Sequence, residues 1–292
     1  MRERPLILVT GSNGQLGKEL KALADSYPGF EFSFLSKTDM PIHHFELVRH
    51  FFDTLKPDYC INAAAYTAVD KAEEEPDRAF QINGEAVGVL AAICKEHHTK
   101  FIHISTDYVF DGTGSVPYTE NYPTDPVNTY GMSKLEGEKQ AMRLNPETII
   151  IRTSWLYAVH GKNFVTTMLK LMSYGNDIRV VNDQQGSPTF AGDLAAAILK
   201  IIEGAKEKTE NWKPGIYHFS NGGKISWYDL AVAIKELTNA TNNIKPISTA
   251  EYPTPAKRPA FSVLDTSKIS GEFGIEIKPW KESLEKCFGQ VH

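Results

Sequence analysis

At 292 residues with a net charge of −5, the chain has room for one large domain or two small ones around a sizeable core. No basic block is long enough to read as a nucleic-acid patch. No stretch approaches the ~20 apolar residues of a membrane span, and the N-terminus runs into a strand-like segment with no signal peptide. Cys60, Cys94 and Cys287 show no metal-ligand spacing, which predicts free buried thiols in a reducing cytoplasm.

Leu6 to Thr10 is a continuous apolar run of strand length, the pattern of a strand buried on both faces of a parallel sheet. Gly11-Ser12-Asn13-Gly14-Gln15-Leu16-Gly17 follows, and Leu16, Leu20 and Leu23 then recur at helical spacing. Strand, glycine turn and helix in that order suit a dinucleotide. Glycines let backbone approach a pyrophosphate, which then meets the free N–H groups of the helix N-terminus. The second strand, Phe30 to Leu35, ends at Ser36-Lys37-Thr38, with no acid before Asp39. A lysine and two hydroxyls suit the 2′-phosphate of NADP(H); the competing reading has Asp39 on a ribose hydroxyl and Lys37 in solvent.

Phe45, Val48, Phe52 and Leu55 mark a helix that Pro57 ends. Asp58 to Ala65 reads as the third strand. Its small end, Ala63-Ala64-Ala65, leaves room for a ligand, and a loop, Tyr66 to Asp70, follows. Glu73, Glu74 and Glu75 read as a solvated helix start. Lys100 to Ser105 is the fourth strand and delivers Thr106 and Asp107 to the ligand edge. A prolyl loop then leads to Tyr130-Gly131-Met132-Ser133-Lys134. On a helix, Tyr130 and Lys134 share one face, one turn apart. A fixed positive charge there favours the phenolate, lowering a pKa of about 10, so that the phenol can pass a proton near neutrality.

Glu147 to Trp155 reads as the fifth strand, with Trp155 an apolar wall for a ligand or a core residue. Phe164, Met168, Leu169 and Met172 form a helix face, and Leu194 to Ile202 an apolar helix. Gly215 to Ser220 returns to the sheet with His218 in a structural role. Ser226 caps a helix through Leu237. Prolines stiffen the loop presenting Arg258, whose guanidinium suits a diphosphate. The fold class is therefore α/β: a Rossmann-type doubly wound parallel sheet with a smaller α/β substrate-binding domain. The expected division is 1–176 plus 215–221 for the NADP(H)-binding domain and 177–214 plus 222–292 for the substrate-binding domain.

The Gly-x-x-Gly-x-x-Gly turn, the strand-end Thr106 and Tyr130-x-x-x-Lys134 resemble the extended short-chain dehydrogenase/reductase family. Asn62 to Glu73, Ser105 to Phe110, Arg152 to Trp155, Asn182 to Thr189 and Arg258-Pro259 resemble, within it, the dTDP-4-dehydrorhamnose reductases. That resemblance implies hydride transfer from NADPH, with NADH as the alternative, to C4 of a dTDP-4-keto-6-deoxy-L-sugar. It implies Tyr130 as proton donor, Lys134 on the nicotinamide ribose and Thr106 on the reacting oxygen. Gly11, Asn13, Gly14, Gln15, Leu16, Gly17, Ser36, Lys37, Ala63, Ala64, Ala65, Tyr66 and Thr67 are expected along the cofactor. Val69, Asp107, Trp155 and Arg258 are expected at the sugar nucleotide. Some relatives bridge a dimer through Mg²⁺ held by glutamates; no matching set is found, so no metal is expected. The expected partner is a dTDP-sugar, with neither nucleic acid nor membrane, for a cytoplasmic monomer or homodimer. Two rivals remain: an epimerase or dehydratase of the same fold, and a non-catalytic subunit resembling the methionine adenosyltransferase beta subunit. A dehydratase has Asp-Glu after its Thr, whereas Asp107 is followed by Tyr108; and Thr106, Tyr130 and Lys134 are all retained here.

Overall fold

The computed structural model describes residues 3–290; residues 1–2 and 291–292 of the expected divisions lie outside the described residues. Six strands form one parallel sheet. β1 (Leu6–Thr10), β2 (Glu31–Leu35), β3 (Tyr59–Asn62), β4 (Lys100–Thr106) and β5 (Ile149–Thr153) are joined by Gly215–Phe219. From one edge the order is Gly215–Phe219, β5, β4, β3, β1, β2. The chain therefore starts near the middle and winds outward in both directions. The crevice at the strands' carboxyl ends, where the winding reverses between β1 and β3, is where such sheets bind ligands. Registry brings Thr10 beside Asn62, Asn62 beside His103 and Thr106 beside Thr153 along that edge.

Both faces of the sheet are covered, which is why β1, β3 and β5 are buried at every position. On one face lie α1 (Gln15–Leu23) and the helix Ala191–Glu207, whose Leu194, Ile198, Leu199 and Ile202 pack with Ile7, Val9, Ile61 and Ile151. On the other lie α2 (Phe45–Leu55), α5 (Ala86–Glu96) and α6 (Thr129–Leu144), represented in that core by Phe52, Leu90 and Ala141. Fully burying an aliphatic side chain of this size contributes about 1.5–3 kcal/mol, so an apolar helix such as Ala191–Glu207 is drawn onto the sheet. That departs from the expected boundary, which put residues 177–214 with the sugar region. The helix Phe164–Met172 departs in the opposite sense. Val165, Met168 and Met172 share a separate core with Ile178, Val180, Phe190, Leu230, Ile234 and Leu284.

The acidic run is also placed differently. Glu73 and Glu74 end α3 (Val69–Glu74), and Glu75 precedes α4 (Pro76–Phe80). Glu73 reaches the first residue of α6, accepting from Thr129 N at 2.9 Å and from Thr129 Oγ1 at 2.8 Å. A carboxylate there stabilises a helix start. Ser226 caps its helix as expected, accepting from Asp229 N at 3.1 Å. His218 is buried, with Nδ1 3.0 Å from the Tyr118 carbonyl. Burial and the neighbouring Arg152 push it down to about 3, so it stays neutral, as a structural histidine does.

Candidate active site

Gly14, extended and without a side-chain cap, precedes α1, so the first N–H groups of that helix face the crevice. Gly11 sits at φ +66°, and a β-carbon there would lie 2.6 Å from Ala64 N. The turn and the end of β3 are thus in direct backbone contact, and only glycine fits. A cavity of about 680 Å³ opens over them. Gly11, Asn13, Gly14, Gln15 and Leu16 line one side, and Ala63, Ala64, Ala65, Tyr66, Thr67 and Val69 the next. Thr106, Asp107, Tyr130, Lys134 and Trp155 close the far end. Its size, its glycine floor and its cationic and hydroxyl groups fit a dinucleotide.

Three expected residues do not line it. A β-carbon on Gly17 would meet the Gly11 carbonyl oxygen at 2.6 Å, so this glycine packs α1 against the turn. Ser36 is buried beneath the end of β2, donating from N at 2.8 Å and from Oγ at 2.6 Å to Asp39 Oδ2. Those bonds hold the Asp39 carboxyl below its usual range, and Asp39 itself is not among the residues that line the cavity. Lys37 lines the cavity instead, with His43 beside it. Arg258 Nη2 lies 2.9 Å from both Asp70 carboxylate oxygens, so the guanidinium is engaged at the start of α3. Its Nη1 is buried with no partner among the described residues.

The helix bearing the pair is pinned at its start. Asn128 Oδ1 accepts from Gly131 N at 2.8 Å, while its Nδ2 donates to the Lys257 carbonyl at 2.8 Å. A β-carbon on Gly131 would sit 2.2 Å from the Tyr108 carbonyl oxygen. Glycine between Tyr130 and Lys134 therefore lets this turn press on the Thr106–Tyr108 turn. Tyr130 and Thr106 line the same end of the cavity, and the Tyr130 ring meets Tyr108 edge-on at 5.5 Å. Thr106 Oγ1 donates to Asp107 Oδ1 at 3.0 Å. Asp107 is buried and its Oδ2 has no partner among the described residues. Burial pushes its carboxyl up to about 7, despite the hydroxyls of Ser262 and Thr106 that favour the charged form.

The expected lowering of the phenol is not found. Burial pushes Tyr130 up to about 12 and Lys134 down to about 8. Both groups lie in a desolvated pocket where the charged forms lose hydration, and Lys134 Nζ is turned to the Ile104 carbonyl at 2.7 Å. His103 lies on its other side, Nε2 to Nζ 3.3 Å. Its Nδ1 is 3.1 Å from Asn62 Nδ2, and Thr10 Oγ1 donates to Asn62 Oδ1 at 2.6 Å. One turn beyond Lys134, Glu138 accepts from Arg152 Nε at 2.9 Å and Nη2 at 2.6 Å, with both side chains buried.

Trp155 has φ 47°, a left-handed conformation that costs a non-glycine residue about 1–3 kcal/mol. Its ring lies 3.5 Å from that of Trp227 at 8°. A β-carbon on Gly186 would reach Trp155 Cε2 at 2.5 Å, so the indole is clamped between the sheet and the second core. The segment 160–163 also closes over the glycine turn. Asn163 Nδ2 donates to Gln15 Oε1 at 2.7 Å, and Gly161 and Lys162 line the cavity. An open groove of about 750 Å³ between α4, α5 and α6 holds none of these groups. Among the described residues, no three His, Cys, Asp or Glu side chains are grouped to hold a metal. Nor is any helix among them long and apolar enough to cross a membrane.

The family described as RmlD substrate binding domain matches residues 5–292. The dTDP-4-dehydrorhamnose reductase of Aggregatibacter actinomycetemcomitans is 42% identical over 286 residues, covering 96% of this chain and 97% of its own. The spore coat polysaccharide biosynthesis protein SpsK of Bacillus subtilis is 43% identical over 281 residues, covering 96% and 95%. The crystal structure of dTDP-4-dehydrorhamnose reductase from Bacillus anthracis in complex with NADP superposes with a TM-score of 0.93. It is 35% identical, over 98% of this chain and 99% of that one.

Proposed function

This chain belongs to the family of the dTDP-4-dehydrorhamnose reductases, and from that premise we propose how its site works. The protein is an oxidoreductase that reduces the C4 ketone of dTDP-4-dehydro-6-deoxy-L-mannose with NADPH, or with NADH as alternative donor. The product is dTDP-L-rhamnose, and the step is the last of dTDP-rhamnose synthesis. The observation that carries the residue assignment is that Thr106, Tyr130 and Lys134 meet at the end of the cavity that begins at the glycine turn.

The hydride is supplied by the bound dinucleotide. Tyr130 donates its phenolic proton to the nascent C4 alkoxide, and Thr106 hydrogen-bonds the same oxygen. A phenol that starts high does not lose its proton to water, and transfer is downhill only once an alkoxide has formed beside it. Lys134 opposes the phenolate charge left behind and holds the nicotinamide ribose. Val69, Asp107 and Trp155 flank the sugar. Arg258 acts through Asp70, which it fixes next to Val69. Reduction asks for one proton donor, whereas dehydration would need a further acid and base, and Tyr108 stands where the second acid would be.

Lys37 and His43 take the 2′-phosphate of the adenosine ribose. Lys37→Asp is therefore expected to lower NADPH selectivity over NADH by about tenfold or more, the loss of one charge-assisted contact. Steady-state kinetics with both donors checks this, and an unchanged ratio removes Lys37 from the phosphate site. The dinucleotide-binding part comprises 3–155 with 191–221, and the sugar-nucleotide part 156–190 with 222–290. The enzyme works in the cytoplasm as a monomer or homodimer. An assay of NADPH oxidation tests the whole reading. Oxidation is expected with dTDP-4-dehydrorhamnose and not with UDP-glucose. Retention of a bound NAD through gel filtration, with no net oxidation, would instead indicate an epimerase.

A further inference from the structure

The hydrogen bonds behind Lys134 have a direction, and it is set by a backbone amide. Ala64 N–H can only donate, and it reaches Asn62 Oδ1 at 3.3 Å, beside the Thr10 hydroxyl at 2.6 Å. Oδ1 is therefore the accepting end of Asn62, and Nδ2 is the end that faces His103 Nδ1 at 3.1 Å. An amide NH₂ only donates, so His103 Nδ1 carries a lone pair. Burial holds His103 well below its ordinary value and keeps the ring neutral. A neutral imidazole with a bare Nδ1 carries its proton on Nε2, and Nε2 is the atom 3.3 Å from Lys134 Nζ. An ammonium has three donors and no acceptor. A bond from Nε2–H to Nζ thus requires an amine with a lone pair, and the Ile104 carbonyl at 2.7 Å takes one of that amine's N–H groups.

We propose that His103 is a positioning residue that presents Nε2–H to Lys134 and so favours its uncharged amine in the free enzyme. Lys134 exchanges its proton with water, and taking one up breaks the His103 contact. The groups facing Lys134 are few. Glu138, one turn on along α6, favours the ammonium, but its carboxylate is paired with Arg152. From the same helix comes Tyr130, and from the turn after β4 come Asp107 and Tyr108, which line the same cavity. The part that Lys134 plays in turnover rests on the reading given above; the tautomer of His103 does not.

Imidazole ¹⁵N NMR on the cofactor-free, substrate-free enzyme tests the wiring. The His103 signals are assigned by their loss in His103→Gln, or in His103→Asn where the Gln variant does not fold. The Nε2–H tautomer is expected; an Nδ1–H tautomer or an imidazolium overturns the proposal and leaves the reductase reading untouched. The second readout is the pH profile of kcat/KM. A glutamine carbonyl can accept from the ammonium, so His103→Gln is expected to move the alkaline limb upward by about one pH unit, a tenfold change in the proton affinity of Lys134. A structural loss would lower the rate without moving the limb, and an unmoved limb in the folded variant contradicts the proposal.

Discussion

Tyr130→Phe is expected to lower kcat by about 10²–10⁴-fold, the range for losing a positioned proton donor, while NADPH affinity stays within about twofold. The hydroxyl is the only atom removed. The ring keeps its edge-on contact with Tyr108, and the glycine turn that faces the other half of the dinucleotide lies on a different loop. Thr106 is a poor acid, and Asp107 accepts a hydrogen bond from the Thr106 hydroxyl through Oδ1, so the phenol is the donor whose loss the variant reports. Fluorescence titration with NADPH and steady-state turnover separate the two effects. A variant turning over near the wild-type rate would remove Tyr130 as proton donor.

Arg152→Met is expected to destabilise the fold by about 3–5 kcal/mol, because it leaves the buried Glu138 carboxylate without its cation. For a chain of this size each kcal/mol lowers Tm by roughly 2–4 °C. The guanidinium makes three bonds to Glu138, and Ser105 Oγ donates to the same carboxylate. The pair joins α6 to β4 and β5 directly beneath the catalytic turn. Pairing Arg152→Met with Glu138→Gln is expected to recover part of the loss, since no unpaired charge then remains buried. Urea unfolding of the two variants measures this. A single-variant loss below about 1 kcal/mol would show that Glu138 is solvated or takes a proton at little cost.

The parts of the site that could be read in the sequence are those carried by short contiguous patterns. The apolar run before Gly11, the glycine spacing and the four-residue step from Tyr130 to Lys134 each encode local geometry, and the parallel sheet follows from strands buried on both faces. The missed parts depend on contacts between distant segments. Asn163 bonds Gln15 across 148 positions, and Glu73 reaches Thr129 across 56; neither side chain carries a local signal. His103 sits in a strand pattern that allows any buried residue, so only the registry of β3 and β4 puts it behind Lys134. Arg258 looked free because Asp70, 188 positions away, could not be seen as its partner. The spacing predicts a Tyr130 phenol lowered by charge; burial raises it instead, with the Asp107 carboxylate adding to the rise. The apolar pattern of Leu194 to Ile202 predicts a buried helix but not which core it joins; Leu194, Ile198, Leu199 and Ile202 join that of the sheet.

The most direct measurement of the central claim is the fate of the transferred hydrogen. Reduction of dTDP-4-dehydrorhamnose with NADPH deuterated at nicotinamide C4 should give dTDP-L-rhamnose with one deuterium at sugar C4, seen by NMR as loss of the H4 signal and of its couplings to H3 and H5. Deuterium at another sugar carbon, or a product without it while NADPH is consumed, would contradict hydride delivery to C4 in this site.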